Sequence, residues 1–321
     1  MTLGGIAAQA APVKLPMNAI SEDTFLIATV DLAKVDPTVL AATAKAALGE
    51  KAGDADEMLS SYKTKYEKFA GKGAESLTII LRGDPDQQKE PEPVFYVKFK
   101  ADADHAAVEK QIREEEGEAN PSPLEISNDG EFMVLRKKGV ELPAAGSEER
   151  AKLFAEALGD GDKPAIGALI FNAAMIKSMQ KDIGHGAPAG MLTVATDSKW
   201  LRMEMTLGAA VKAQVTIQTA DEDAGKRVSD AVTGLGDFIK AQVAQMKQAF
   251  AQAPPQAVAQ MGPIGDIADA MSAFAEAFKP TQDGTKVVVT ADAKAVGGML
   301  RGWFSAQKMQ AQNAPGPKGG L

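Results

Sequence analysis

Cysteine is missing from all 321 residues, and with it go disulfides, thiolate metal sites and cysteine nucleophiles. Histidine is nearly as scarce. His105 and His185 are the two in the chain, and their separation rules out a two-histidine zinc motif on one helix. Aromatic residues make up 5% of the chain, with no basic stripe interleaved among them, so the stacking platform of a single-strand binder is lacking. Positive charge does not dominate either: 35 Lys and Arg stand against 43 Asp and Glu, net −8, and the longest basic run is Arg136, Lys137 and Lys138. Phosphate binding is driven by clustered cations, so nucleic acid is excluded as a partner class. No stretch approaches the apolar length needed to cross a bilayer, so no membrane span is expected.

Catalytic signatures are lacking too. There is no Gly-x-Ser-x-Gly elbow, no Gly-x-x-x-x-Gly-Lys phosphate loop and no dinucleotide fingerprint behind a strand. No cofactor or metal is implied by any motif.

What is present is a repeated junction. Val97 to Lys100 leads into Ala101 and Asp102, Val215 to Thr219 into Ala220 and Asp221, and Val287 to Thr290 into Ala291 and Asp292. Looser versions run from Phe25 to Val30 into Asp31, Leu32, Ala33 and Lys34, and from Ile166 to Phe171 into Asn172, Ala173 and Ala174. Alternation such as Val215 and Ile217 against Thr216 and Gln218 suits a strand with one buried face, whereas the residues after each Asp recur at helical spacing. An Asp at such a boundary accepts hydrogen bonds from the free amides of the helix's first turn, so the junctions read as helix caps.

The pattern predicts an α+β fold, a mostly antiparallel sheet with helices packed on it. Strands are expected at 25–31, 77–81, 94–99, 124–126 and 132–135, the last two around the turn at Asn128, Asp129 and Gly130. Helices are expected after Asp36 and Pro37 up to Gly49, over 57–69, after Asp102, and over 148–158. A second half follows Gly159 to Lys163: a strand at 165–171, a helix to about Ile183, and three successive strands at 191–195, 200–206 and 213–219. A long helix then carries Val228, Val232, Leu235, Ile239, Val243, Met246 and Phe250 on one face as far as Pro254 and Pro255. Its mate bears Ile264, Ile267, Met271, Phe274 and Phe278. A strand at 286–290 and a helix with Val296, Leu300, Trp303 and Phe304 complete the chain. The order strand, helix, strand, strand, helix, strand in each half predicts two duplicated ferredoxin-like units, 20–160 and 161–309, with a helical hairpin over 224–278. A single antiparallel sheet shared by both halves is the alternative architecture. The Pro- and Gly-rich end, 310–321, reads as a disordered tail.

At the other end, Met1 to Val13 is small and apolar, and Ala8, Gln9 and Ala10 have the small-any-small pattern that export peptidases cut. Residues 1–19 therefore read as the remnant of a signal peptide, or else as a disordered terminus of a cytoplasmic protein. The triplet favours export to the periplasm or cell envelope.

Polar candidates for chemistry divide poorly from ordinary surface. His105 follows Asp104 in a first helical turn, a solvated position, and His185 lies between two glycines in a loop. Asp221, Glu222 and Asp223, or Asp84, Asp86 and Glu90, carry oxygen ligands suited to calcium. Counted from Asp84, however, the sixth and twelfth places of a twelve-residue calcium loop hold Lys89 and Phe95 instead of Gly and Glu. Glu114 to Glu116 is a solvated helix end. The one unusual stretch is 241–265, where Lys247 is the only charged residue and Gln242, Gln245, Gln248, Gln252, Gln256 and Gln260 take the polar positions. Depletion of charge distinguishes the core of a protein interface from ordinary surface. The hairpin is thus the candidate site for self-association or for a protein partner.

The strand followed by Asp31, Leu32, Ala33 and Lys34, the repeated Ala-Asp junctions and the Ala-rich helices together resemble uncharacterised exported proteins of planctomycete-type bacteria, over most of the chain. The resemblance implies an exported α+β protein and carries over no catalytic residue. Two functions are expected from different classes: a non-catalytic envelope protein that binds a partner or assembles with itself, or a hydrolase whose carboxylates the fold brings together.

Overall fold

The structure is a computed structural model and describes residues 15–48, 60, 63–64, 66–83, 91–116, 124–143, 146–161, 163–184, 186–206, 211–253 and 264–299. Its strands are β1 (Thr24–Asp31), β2 (Ala74–Arg82), β3 (Glu92–Phe99), β4 (Leu124–Asp129), β5 (Phe132–Lys137), β6 (Ala165–Leu169), β7 (Ser198–Thr206), β8 (Lys212–Thr219), β9 (Thr281–Asp283) and β10 (Lys286–Ala291). They form one sheet in the order β4-β5-β3-β2-β1-β6-β7-β8-β10-β9, and every neighbouring pair is antiparallel. The helices are α1 (Pro37–Leu48), α2 (His105–Glu116), α3 (Glu148–Leu158), α4 (Ala173–Ile183), α5 (Ala189–Asp197), α6 (Glu222–Gln252) and α7 (Ile264–Ala277). Residues 66–71 and 293–299 are also helical.

The α+β class is thus as the sequence implies, with both halves in one sheet. The ferredoxin-like arrangement is not what this sheet contains. In such a unit the first helix joins two parallel strands that flank a third, and the fourth strand lies beside the first, whereas here the connection through α1 joins the adjacent antiparallel strands β1 and β2, and β1 lies beside β6. What repeats is a different order. Numbered within its own half, each set of five strands runs 1-2-3-5-4 outward from the β1–β6 seam.

Side-chain alternation gives the sheet two unlike faces. Along β3, Val94 and Tyr96 join a core with Ile27, Ile80, Phe132, Val134, Ile166 and Trp200 beneath Phe154 and Leu158 of α3. Val97 and Phe99 point the other way, packing with Val108 and Ile112 of α2 and with Phe69. On that same second face, Ile217 and Val287 are covered by Val194 of α5 and Val228 and Val232 of α6. Helix α3 is pinned across the seam by a buried guanidinium: Arg150 Nε donates to the Thr24 carbonyl at 2.9 Å and Nη2 to the Ile170 carbonyl at 2.8 Å. Burial lowers the Arg150 pKa, while Glu22 and Asp23 act in the opposite direction.

Two local expectations change. Residues 191–195 lie in helix α5 and are not a strand. A short apolar run cannot be assigned by periodicity alone, and here tertiary packing decides: Gly190 lies so close to α6 that a Cβ would sit 3.0 Å from the Ala231 carbonyl oxygen. The three-residue β9 is an addition that sequence reading did not contain. The β4–β5 hairpin turns through Gly130 and Glu131, with Asp129 opposite Phe132 and Gly130 at φ 59°, the left-handed conformation that favours glycine. Residues 1–14, Gly49, Pro254, Pro255 and the segment 300–321 with Leu300, Trp303 and Phe304 lie outside the described residues.

Candidate functional site

The repeated rhythm of strand, Asp and helix resolves into capping. Asp221 Oδ1 accepts from the Ala224 amide at 2.8 Å, Asp292 Oδ1 from Ala295 at 2.9 Å, and Asn172 Oδ1 from Met175 at 2.8 Å. Asp36 accepts from Thr38 at 2.8 Å, ahead of α1. Asp102 is the correction. Helix α2 begins at His105, and its cap is Asp104, whose Oδ1 accepts from Ala107 at 3.0 Å. The chain takes a further turn at residues 101 and 102 before the helix can start. Asp31 closes a small turn instead, accepting from the Ala33 amide at 3.0 Å and pairing with Lys34 at 3.0 Å.

Among the described residues Lys98 lies between two carboxylates, Glu75 at 2.5 Å and Glu131 at 3.9 Å. His105 stacks on Phe99, with ring centroids 4.6 Å apart; His185, Asp84, Asp86 and Glu90 lie outside the described residues. Glu114 is tied to Lys110 at 3.8 Å in an exposed pair. Among the described residues no group of three or more His, Asp or Glu is placed to hold a metal ion. No helix among them is long and apolar enough to cross a membrane.

The amide-rich segment is built by α6. This helix has 31 residues, about 46 Å at 1.5 Å per residue, while its neighbour β8 has eight, about 27 Å. Its first half packs on the sheet through Val228, Ala231, Val232 and Leu235. From Gly236 onward the neighbour is α7 with the residue that follows it: a Cβ on Gly236 would sit 2.6 Å from Phe278 Cβ, just past the end of α7, and Lys247 Nζ reaches Asp269 Oδ1 of α7 at 2.8 Å. Val243 points inward and is buried.

The opposite side of these turns is open. Gln242, Gln245, Gln248 and Gln252 are exposed, as are Ala241 and Ala249. Phe238, a residue the sequence reading passed over, is 40% exposed on the same side. Its spacing of four and seven residues from Gln242 and Gln245 is the signal that places it there. The flanking charges are paired, Lys240 with Asp237 at 3.3 Å and Lys247 with Asp269. Gln256 and Gln260 lie outside the described residues. The arrangement can bury an aromatic ring and exchange amide hydrogen bonds without desolvating an ion. Comparison with protein-family models, with curated proteins and with solved structures finds no match.

Proposed function

We propose that this chain is a non-catalytic binding protein of the cell envelope that docks a protein partner, or a second copy of itself, through the outer face of α6. The observation that carries the reading is the uncharged surface around Gln245, with an exposed Phe238 at its edge and its neighbouring charges already paired. Such a surface loses little on desolvation, whereas a charged one would lose several kcal/mol per ion. The Ala8-Gln9-Ala10 triplet and the resemblance to exported proteins support the envelope location. The repeated strand order supports descent of the two halves from one five-stranded unit by duplication.

Chemical cross-linking of cells that make the wild-type chain, against cells that make Gln245→Glu with Gln252→Lys, tests the docking. The expected result is a heavier cross-linked species that disappears in the double variant, whose thermal melt is unchanged. A chain that cross-links to nothing in either form would overturn the reading. Sequencing the mature N-terminus tests export: a retained Met1 in a cytosolic fraction would refute it.

A further inference from the structure

The face of α6 is self-complementary. At 100° per residue, Phe238, Ala241, Gln242, Gln245, Gln248, Ala249 and Gln252 all fall within about 60° of Gln245. Read outward from Gln245, the order is the same in both directions: Gln then Ala, with Gln242 and Ala241 on one side and Gln248 and Ala249 on the other. Phe238 and Gln252 close the two ends.

We propose that two copies of this chain associate through α6, antiparallel about a two-fold axis at Gln245. This rests on the docking surface proposed above and names its occupant. In an isologous contact residue i meets j and j meets i, so the surface must complement itself. A carboxylate or ammonium on the axis would face its own like charge. A glutamine amide carries both donors and an acceptor, so Gln245 pairs with Gln245 of a second copy, and Gln242 with Gln248. Ala241 and Ala249 are short enough to let the helices approach, and Phe238 packs over the stem of Gln252. A charged heterologous partner finds no opposite charge here, because Lys240 and Lys247 are already engaged.

Four turns of one helix offer less than the about 800 Å² per partner of a standard interface, the size class of weak and transient contacts. Sedimentation of the pure full-length chain from about 1 µM to about 500 µM is expected to show conversion to twice the 33.6 kDa of the chain.

The cysteine-free background makes the register testable. Gln245→Cys, oxidised with glutathione disulfide, is expected to cross-link to itself. Gln242→Cys and Gln248→Cys are expected to cross-link to each other when mixed, at least tenfold faster than either alone. Unchanged thermal melts of the reduced variants verify the fold. A chain that stays monomeric, with Gln245→Cys uncoupled, overturns the proposal. If the pure chain is monomeric while the cellular cross-linked species persists, the second copy is excluded and the docking surface stands. A dimer in which Gln242→Cys couples to itself faster than to Gln248→Cys overturns the axis at Gln245.

Discussion

The two halves share a strand order and differ in what they hide. One rung across the sheet makes the contrast: Val134, Tyr96, Thr78, Thr29 and Ile166 in register, then Glu204, Gln214 and Thr290. The first five are buried beneath the α3 side of the sheet, with Thr29 and Thr78 joined through their hydroxyls at 3.0 Å. The last three are polar, and Thr290 is exposed. Topology therefore did not decide which residues the strands carry. Cover did: α3 lies over the first half and the seam, reaching β7 at Trp200, whose indole donates to Glu156 at 3.1 Å. Beyond it this face carries polar side chains, with Glu204 and Gln214 half-buried and Thr290 exposed.

That comparison predicts unequal costs on the one face. Phe154→Ala, which empties a fully buried position under α3, is expected to cost about 3–5 kcal/mol. Val288→Ala on the same face of β10 is expected to cost under about 1 kcal/mol. Urea unfolding measures both, and similar losses would break the contrast. Tyr96 sharpens it through pH. Burial pushes its phenol up to about 12, with Arg82 and Arg136 pulling down and Asp129 pushing up. A pKa raised by folding gives stability that is complete below the unfolded value near 10 and is lost as pH rises through 12. About 2–3 kcal/mol is at stake. Tyr96→Phe should keep its stability between pH 10 and 12 better than the parent does, measured by denaturant midpoints; parallel curves would refute it.

Within the helix layer of the second half, two glycines of α6 separate close packing from open surface. Gly236→Ala drives a methyl into Phe278 and is expected to cost about 1–3 kcal/mol. Gly234→Ala meets nothing within 4 Å and is expected to gain about 0.5–1 kcal/mol. A gain from both would mean that α6 and α7 are not in close contact. The smallest effects compare equivalent junctions of the halves. Asp104→Ala before α2 and Asp221→Ala before α6 should each cost about 1 kcal/mol, whereas Asp102→Ala should cost under about 0.5. Thermal melts rank the three, and a large loss at Asp102 would restore it as the cap.

Much of the local structure was legible because its causes are local. Helix α3 runs over the expected 148–158, since Ser147 caps it through the Arg150 amide at 3.2 Å and Gly159 ends it at φ 60°. The stripe from Val228 to Val243 reads directly as a buried helix face. Strand order was not legible, because pairing Leu26 with Leu169 leaves no mark in either segment. Helix α5 was misread for the same reason: its conformation depends on contact with Ala231, far along the chain. The amide face was visible as a gap in charge, but Phe238 joined it only once the helix phase was fixed at Gly236 and Val243.

The seam sets a timetable for folding. Each half meets its own neighbours through shorter connections, while β1 and β6 must close the longest loop in the sheet, and loop closure is paid before the contacts reward it. The join at Ala28 and Gly167 is therefore expected to form after the rate-limiting barrier. Leu169→Ala, which weakens that join, should speed unfolding and leave the folding rate nearly unchanged. Stopped-flow chevrons would reveal the opposite, a slowed folding arm, if the seam were the nucleus.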